Sequence, residues 1–276
     1  MKPVFEILPL SSFEAENCSL LCEVSNEGFS FSIKDEIADS FLGLAIYHYD
    51  LNKPAVGLPI DLQVLFHQKE ILSRDFKNVY IVYSFPQSVL VPFSLYDSEK
   101  NSLLMNVMYG DLHVNETILT DLVKSQSVYN CYRIPAAVHD VMQNQYPKAV
   151  SNHQYSSLLK EPVVEKNSLS VIFYSKKLIA ILVKNGHLQL IQSFNYHTPE
   201  DVSYTLQNIR RQFQIDSIKI EISGLIEENS SLYKEIYKFF TEIEFTKLPA
   251  GINYSEEIKQ YPSHYFSYIF AFNSCV

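Results

Sequence analysis

Glycine is scarce. There are 7 among 276 residues, well below the usual share of roughly 7%, so loops that wrap phosphate in crowded backbone amides have few positions to be built from. Tryptophan is absent, and aromatic character rests on 19 Tyr and 18 Phe. Four cysteines are too few and too irregular for a disulfide framework. Cys18 and Cys22, on one face of a strand-like segment but about 13 Å apart, cannot share a metal and read as buried thiols of a reducing cytoplasm. Basic charge is also short: 22 Lys plus Arg against 31 Asp plus Glu leaves a net charge of -9, which supplies no field for a phosphate backbone and speaks against nucleic-acid binding. The most apolar tract, Tyr265 to Phe272, is far short of the ~18 residues that span a bilayer. Met1 to Leu10 has neither the basic end nor the apolar run of a secretory signal. The expectation is a soluble, cytoplasmic protein with no transmembrane segment.

What is present is enough apolar matter for ordinary cores. With 47% hydrophobic and 19% charged residues the chain is globular, and its length corresponds to about two domains. In the first half, Leu20 to Val24 is an apolar run, Asn26-Glu27-Gly28 a turn, and Phe29, Phe31 and Ile33 alternate with polar residues as a half-buried strand does. Phe41 to Tyr47 reads as a third strand. After a loop marked by Pro54, Gly57 and Pro59, Leu62, Leu65, Phe66, Leu72 and Phe76 fall on one helical face, and Val79 to Tyr83 is a buried-type strand. Beyond it the pattern predicts a helix over Leu95 to Tyr109 closed by Gly110, strands over Leu112 to Leu119 and Val128 to Ile134, and a helix over Ala136 to Gln145.

The order starts again at Leu169. Leu169 to Tyr174, Leu178 to Val183 and Leu188 to Phe194 read as strands, joined by the turns Ser175-Lys176-Lys177 and Asn185-Gly186. Thr198-Pro199-Glu200-Asp201 supplies an N-cap, a proline at the first helical position and a capping-box acid, so a helix starts there with Val202, Leu206, Ile209 and Phe213 on its apolar face. A strand over Ile218 to Ile222, a helix over Ser230 to Phe240 and a strand over Ile243 to Phe245 follow. Both halves run strand, strand, strand, helix, strand, helix, with an offset of about 145 residues. The polar, aperiodic stretch 148–167 is expected as a linker between lobes at 1–147 and 168–276. The tail from Gly251 fits a helix or a strand.

Three antiparallel strands feeding a helix and then parallel strands is the order of the ribonuclease H-like fold, and two such units in tandem resemble the actin-like ATPase superfamily. More narrowly, the chain is similar to a family of bacterial proteins of unknown role with that α/β fold, each unit a mixed five-stranded sheet with helices on its faces. The motif that carries the resemblance is Ile220-Glu221-Ile222-Ser223-Gly224-Leu225-Ile226 before a helix, similar to the superfamily's adenosine loop, with Leu225 where a second glycine would stand. The resemblance places phosphate loops at the turn between the first two strands of each half. In the first half that stretch runs from Glu23 to Gly28 and lacks the Asp-x-Gly spacing; in the second, Phe173 to Lys177 has neither acid nor glycine. The candidate nucleotide cleft is therefore Glu23, Ser25, Gly28, Lys176, Lys177, Ser223 and Gly224, each part incomplete.

Other constellations carry less. His48 and Asp50 share a strand face without completing a triad. His139-Asp140 and His197 have no second ligand at metal spacing, and Cys131 has no marked base nearby. The carboxylates of a two-metal nuclease are missing, since Glu23 is the sole acid in a first strand. The expected function is non-catalytic binding or assembly on a degenerate actin-like scaffold, with a protein partner, no cofactor and no metal. The alternative is an ATP-binding enzyme, an ATPase or small-molecule kinase using ATP with Mg, in which Glu23, Ser25 and Gly28 face Ser223 and Gly224. A third class, binding of a small apolar ligand in an aromatic-lined cleft, stays open.

Overall fold

Strand pairing separates the described residues into two mixed sheets and one antiparallel sheet, and the computed structural model describes residues 1–9, 12–50, 57–161, 167–215 and 218–274. Pro54 of the expected loop and Pro162 of the expected linker lie outside the described residues. Contacts group the chain into two units, Met1–Glu161 with Gly251–Gln260 and the residues from Phe272, and Pro162–Ala250 with Tyr261–Ala271.

The first unit contains β1 (Lys2–Ile7), β2 (Cys18–Ser25), β3 (Gly28–Asp35), β4 (Ser40–His48), α1 (Leu58–Gln68), β5 (Asn78–Ser84), β6 (Ser88–Pro92), α2 (Asn101–Tyr109), β7 (Glu116–Val123), β8 (Val128–Pro135), α3 (Ala136–Gln145), β9 (Val150–His153) and α4 (Gln154–Leu158). Its main sheet has the order β1-β4-β3-β2-β5-β9. β4, β3 and β2 are antiparallel neighbours, whereas β5 and β9 add in parallel. Every residue of the central β2 is buried, which is why its sequence is a near-continuous apolar run rather than an alternation. Leu58, Leu62, Leu65 and Phe66 of α1 enter this core, and Phe66 meets Phe29 edge-to-face with ring centroids 5.5 Å apart. Val138, Val141 and Met142 of α3 pack into the same cluster. A separate three-stranded antiparallel sheet, β6-β8-β7, carries α2, whose Met105 is its buried side chain.

The second unit contains β10 (Asn167–Phe173), β11 (Lys177–Lys184), β12 (His187–Asn195), α5 (Pro199–Gln212), β13 (Ile220–Gly224), α6 (Ser231–Tyr237) and β14 (Ile243–Phe245). Its sheet order is β12-β11-β10-β13-β14, antiparallel through the first three strands and parallel through the last two. The core lies under α5, where Val202, Leu206 and Ile209 are buried. The Asn185-Gly186 turn has φ +57° and +76°, the left-handed pair that a two-residue hairpin needs. In the tail, β15 (Asn253–Tyr254) adds to β4 of the first unit, followed by α7 (Glu256–Lys259) and α8 (Ser267–Ser274). The open reading of Tyr265 to Phe272 is thus settled as helix, with Ile269 and Phe270 fully buried. No helix among the described residues is long and apolar enough to cross a membrane.

Several elements differ from the sequence reading. β1 and β6 were not foreseen, and the helix expected from Leu95 begins at Asn101, because Phe93–Leu95 and Ser98–Lys100 are single 3-10 turns. The strand expected over Leu112 to Leu119 is β7, displaced to Glu116–Val123. Of the stretch 148–167, expected as a linker, residues 150–158 are β9 and α4. β9 has only four residues, two of them partly exposed polar ones, and its His153 side chain bonds Phe85 O, so neither length nor apolar period marked it.

The helix start that the sequence did mark is built as expected. Thr198 Oγ1 accepts the Asp201 amide at 3.2 Å, and Asp201 Oδ2 accepts the Thr198 and His197 amides, each at 2.9 Å. Those backbone donors hold the Asp201 carboxyl below its usual range. Replacing Thr198 by Ala should lower unfolding free energy by about 1 kcal/mol, read as a shift of the urea midpoint at unchanged slope.

Candidate functional site

Glu23, Ser25 and Gly28 sit together in the first unit, on β2, β3 and their two-residue connection Asn26-Glu27. Ser25 Oγ accepts the Glu27 amide at 3.1 Å, and the Tyr49 amide donates to Glu27 O at 2.7 Å. The turn is tied down by a strand side chain and by the chain leaving β4. Gly28 has a local reason to be glycine: a Cβ there would lie 1.9 Å from Tyr47 O on β4.

Glu23 is buried within β2. Its Oε2 accepts from Ser30 Oγ at 3.3 Å and its Oε1 from Gln154 Nε2 at 3.1 Å, and Gln154 Oε1 in turn accepts from Ser84 Oγ. Gln154 opens α4 in the stretch where a linker was expected. Beside this chain lies a second, half-buried acid. Asp121 of β7 accepts the His153 amide at 2.6 Å and Tyr132 Oη at 3.0 Å. His153 Nδ1 accepts the Tyr155 amide at 3.1 Å, so Nε2 carries the proton and donates to Phe85 O at 2.8 Å. Burial raises the Asp121 carboxyl, opposed by hydrogen bonds from the His153 amide, Ser156 and Tyr132. Sequence reading missed Gln154, Asp121 and His153, since isolated polar residues beside short strands look like surface.

In the second unit, Lys176 and Lys177 lie at the connection of β10 to β11, and Ser223 and Gly224 at the end of the adjacent β13. Ser223 is in register with Ile172, and Gly224 with Phe173. The β10 to β11 connection is three residues, Tyr174 to Lys176, with the Tyr174 amide donating to Lys177 O at 2.9 Å and the Tyr196 amide to Lys176 O at 3.0 Å. Lys176 is exposed. Lys177 is buried and lays its ammonium 4.6 Å from the Tyr174 ring centroid. Gly224 has φ +85°, and a Cβ there would meet Phe173 O at 2.1 Å. The Leu225 amide donates to that same oxygen at 2.8 Å. The remaining candidates stand apart: His139 Nδ1 bonds Tyr83 Oη at 2.8 Å, and Cys131 lies at Thr120 and Asn101. Burial lowers the pKa of His48.

This arrangement defines a mixed α/β protein whose structural neighbours have the actin-like ATPase fold. A protein from Bacteroides thetaiotaomicron VPI-5482, described as having an actin-like ATPase fold and unknown function, superposes with a TM-score of 0.72 at 21% identity over 84% of this chain and 91% of that one. The PilM–PilN type IV pilus biogenesis complex gives 0.60 at 10% identity over 94% and 98%. The cytoplasmic domain of EpsL, an inner-membrane component of the Vibrio cholerae type II secretion system, gives 0.52 at 7% over 94% of each. No curated protein matches the sequence. Residues 9–243 match one family profile, and the chain belongs to that family, described as protein of unknown function (DUF3822).

Two measurements test this geometry. Gly224→Ala should cost about 3 kcal/mol in urea unfolding, from backbone strain plus the Phe173 O overlap, whereas Gly186→Ala, at φ +76° in the two-residue hairpin turn with open space around it, should cost only about 1–2 kcal/mol. For Asp121, the folded pKa is raised, so the native state binds the proton more tightly than the unfolded chain; stability falls as pH rises through the folded pKa. The stability of the natural protein relative to Asp121→Asn should therefore decline from pH 4 upward, and a flat difference across urea titrations would contradict the burial of that carboxyl.

Proposed function

We propose that this chain is a non-catalytic binding or assembly protein of the cytoplasm, made of two repeats of one actin-like unit whose phosphate loops have shortened into hairpin turns. The observation that carries the reading is the closure of both turns. The Glu27 and Tyr174 amides donate to Ser25 Oγ and Lys177 O, and Glu27 O and Lys176 O accept from the Tyr49 and Tyr196 amides, which ties each short turn to its own strands, whereas a loop that cradles phosphate gathers several amides around the ligand. Gly28 and Gly224, the glycines available for such a loop, are both required by the approach of a neighbouring carbonyl.

Duplication is supported by the sheets themselves. β4-β3-β2-β5-β9 and β12-β11-β10-β13-β14 have one order and one sequence of pairing directions, with a helix in each case between the third strand in chain order and the fourth. A protein partner is supported by the α2 region, where Leu95, Leu103, Val107, Met108 and Val114 are all exposed, more apolar surface than scattered single residues provide. Two similar folds, PilM with PilN and the EpsL domain, come from multi-component systems.

Thermal unfolding with nucleotide is the test. Millimolar Mg-ATP or Mg-ADP should leave the melting temperature unchanged, since only a ligand that binds the native state raises it. A saturable rise of several degrees would overturn this reading in favour of an ATP-binding enzyme with divergent loops.

A further inference from the structure

We infer that a cavity in the first unit, at the C-terminal end of β5, is a binding site for a small carboxylate, held by Arg133 and the first turn of α3. The cavity has a volume of about 370 Å³ and is lined by Asn26, Phe85, Asn115, Glu116, Arg133 and Ala137 among others. That is at the small end of the ~300–1,000 Å³ usual for ligand pockets.

Arg133 is 3% exposed. Its Nη2 donates to Asn106 Oδ1 at 2.7 Å and to Gly110 O at 2.9 Å. Its Nη1 lies 3.8 Å from a Glu116 carboxylate oxygen, outside hydrogen-bond reach, and its Nε is buried with no acceptor. A buried guanidinium with unspent N–H groups is costly, and such groups are ordinarily satisfied. α3 is ten residues long, and its N-cap, Pro135, offers no side-chain acceptor. The Ala136 amide is taken by Asn115 O at 2.8 Å; Ala137, next in the first turn, lines the cavity, where helix amides are open to an anion.

Charge selects the ligand class. Arg133 contributes one positive charge and the helix end about half of one, while Glu116 cancels one. The balance suits a monoanion and disfavours a phosphate dianion. A planar carboxylate also matches guanidinium donors in shape. The ligand competes with Glu116 for Arg133, so removing the Glu116 charge strengthens binding. Asn26 of the turn between β2 and β3 borders this cavity, but Arg133, Glu116 and α3, which carry the assignment, lie outside the nucleotide-loop stretches.

The test is thermal unfolding of the full chain at fixed ionic strength with sodium acetate, sodium succinate, acetyl-dialanine and acetyl-dialanine amide as probes. At least one carboxylate at about ten times its Kd should raise the melting temperature by about 3 °C, and the amide should not. A rise with acetate or succinate identifies a free small acid; a rise with acetyl-dialanine alone identifies a peptide C-terminus. Ala137→Phe, which fills the cavity from an exposed helix position and leaves the Arg133 bonds intact, should abolish the rise. Glu116→Gln should tighten binding about tenfold. Absence of any shift, which would leave the cavity to water, a shift that survives Ala137→Phe, or a larger shift with inorganic phosphate than with the carboxylates would each overturn the assignment.

Discussion

In each unit a backbone carbonyl passes so close to a strand end that no Cβ fits between them. On Gly28 a Cβ would fall 1.9 Å from Tyr47 O, and on Gly224 it would fall 2.1 Å from Phe173 O. Much of the local architecture follows from these two approaches. At Gly28 the turn can be as short as two residues, which pins β2 to β3 and β3 to β4 in register and stacks Phe31 on Tyr47 with centroids 6.4 Å apart. At Gly224 the chain leaves β13 with the Leu225 amide bonded back to Phe173 O. Ile226 O then accepts from His264 Nε2 at 2.7 Å. Glycine, so scarce in this sequence, is spent here on packing backbone against backbone.

The second constraint is polar. Glu23 brings a carboxyl group into the interior of the first unit and Asp121 a half-buried one beside it, and each is surrounded by donors: Ser30 and Gln154 for one, the His153 amide and Tyr132 for the other. Buried acids without such partners would be strongly destabilising. Asn130 extends the network, accepting from Ser88 Oγ at 2.5 Å and donating to Ser156 Oγ at 2.9 Å. β7 and β8 of the three-stranded sheet are thereby tied to β9 and α4 of the main sheet, a connection that apolar packing alone would leave free to slide.

Legibility in the sequence followed the range of the interaction. The α5 capping box and the Asn185-Gly186 hairpin are set within a few residues and were readable as they are built. The apolar face read from Leu62 through Phe76 belongs to α1 only as far as Phe66, since the helix ends at Gln68 and Leu72 lies in a separate 3-10 turn. The start of α2 was not, because the apolar residues from Phe93 to Leu95 continue its pattern while their backbone forms a separate turn. β9 and α4 were hidden for a different reason: His153 and Gln154 look like surface until their partners are known. Around Glu23 of the candidate site, Gln154, which completes its environment, is 131 positions away from it.

By itself the sequence determined the strand-strand-strand-helix-strand order that both halves share and the scarcity of glycine, because helix caps, hairpin turns and apolar periods are local and composition is fixed along the chain. Tertiary structure alone decided the pairing order of the strands, the carbonyls that make Gly28 and Gly224 obligatory, and the donors that surround Glu23, Asp121 and Arg133. Those depend on which distant segments meet, and burial makes each meeting selective: an acid or a guanidinium inside the protein is stable only where the fold brings it the right partner.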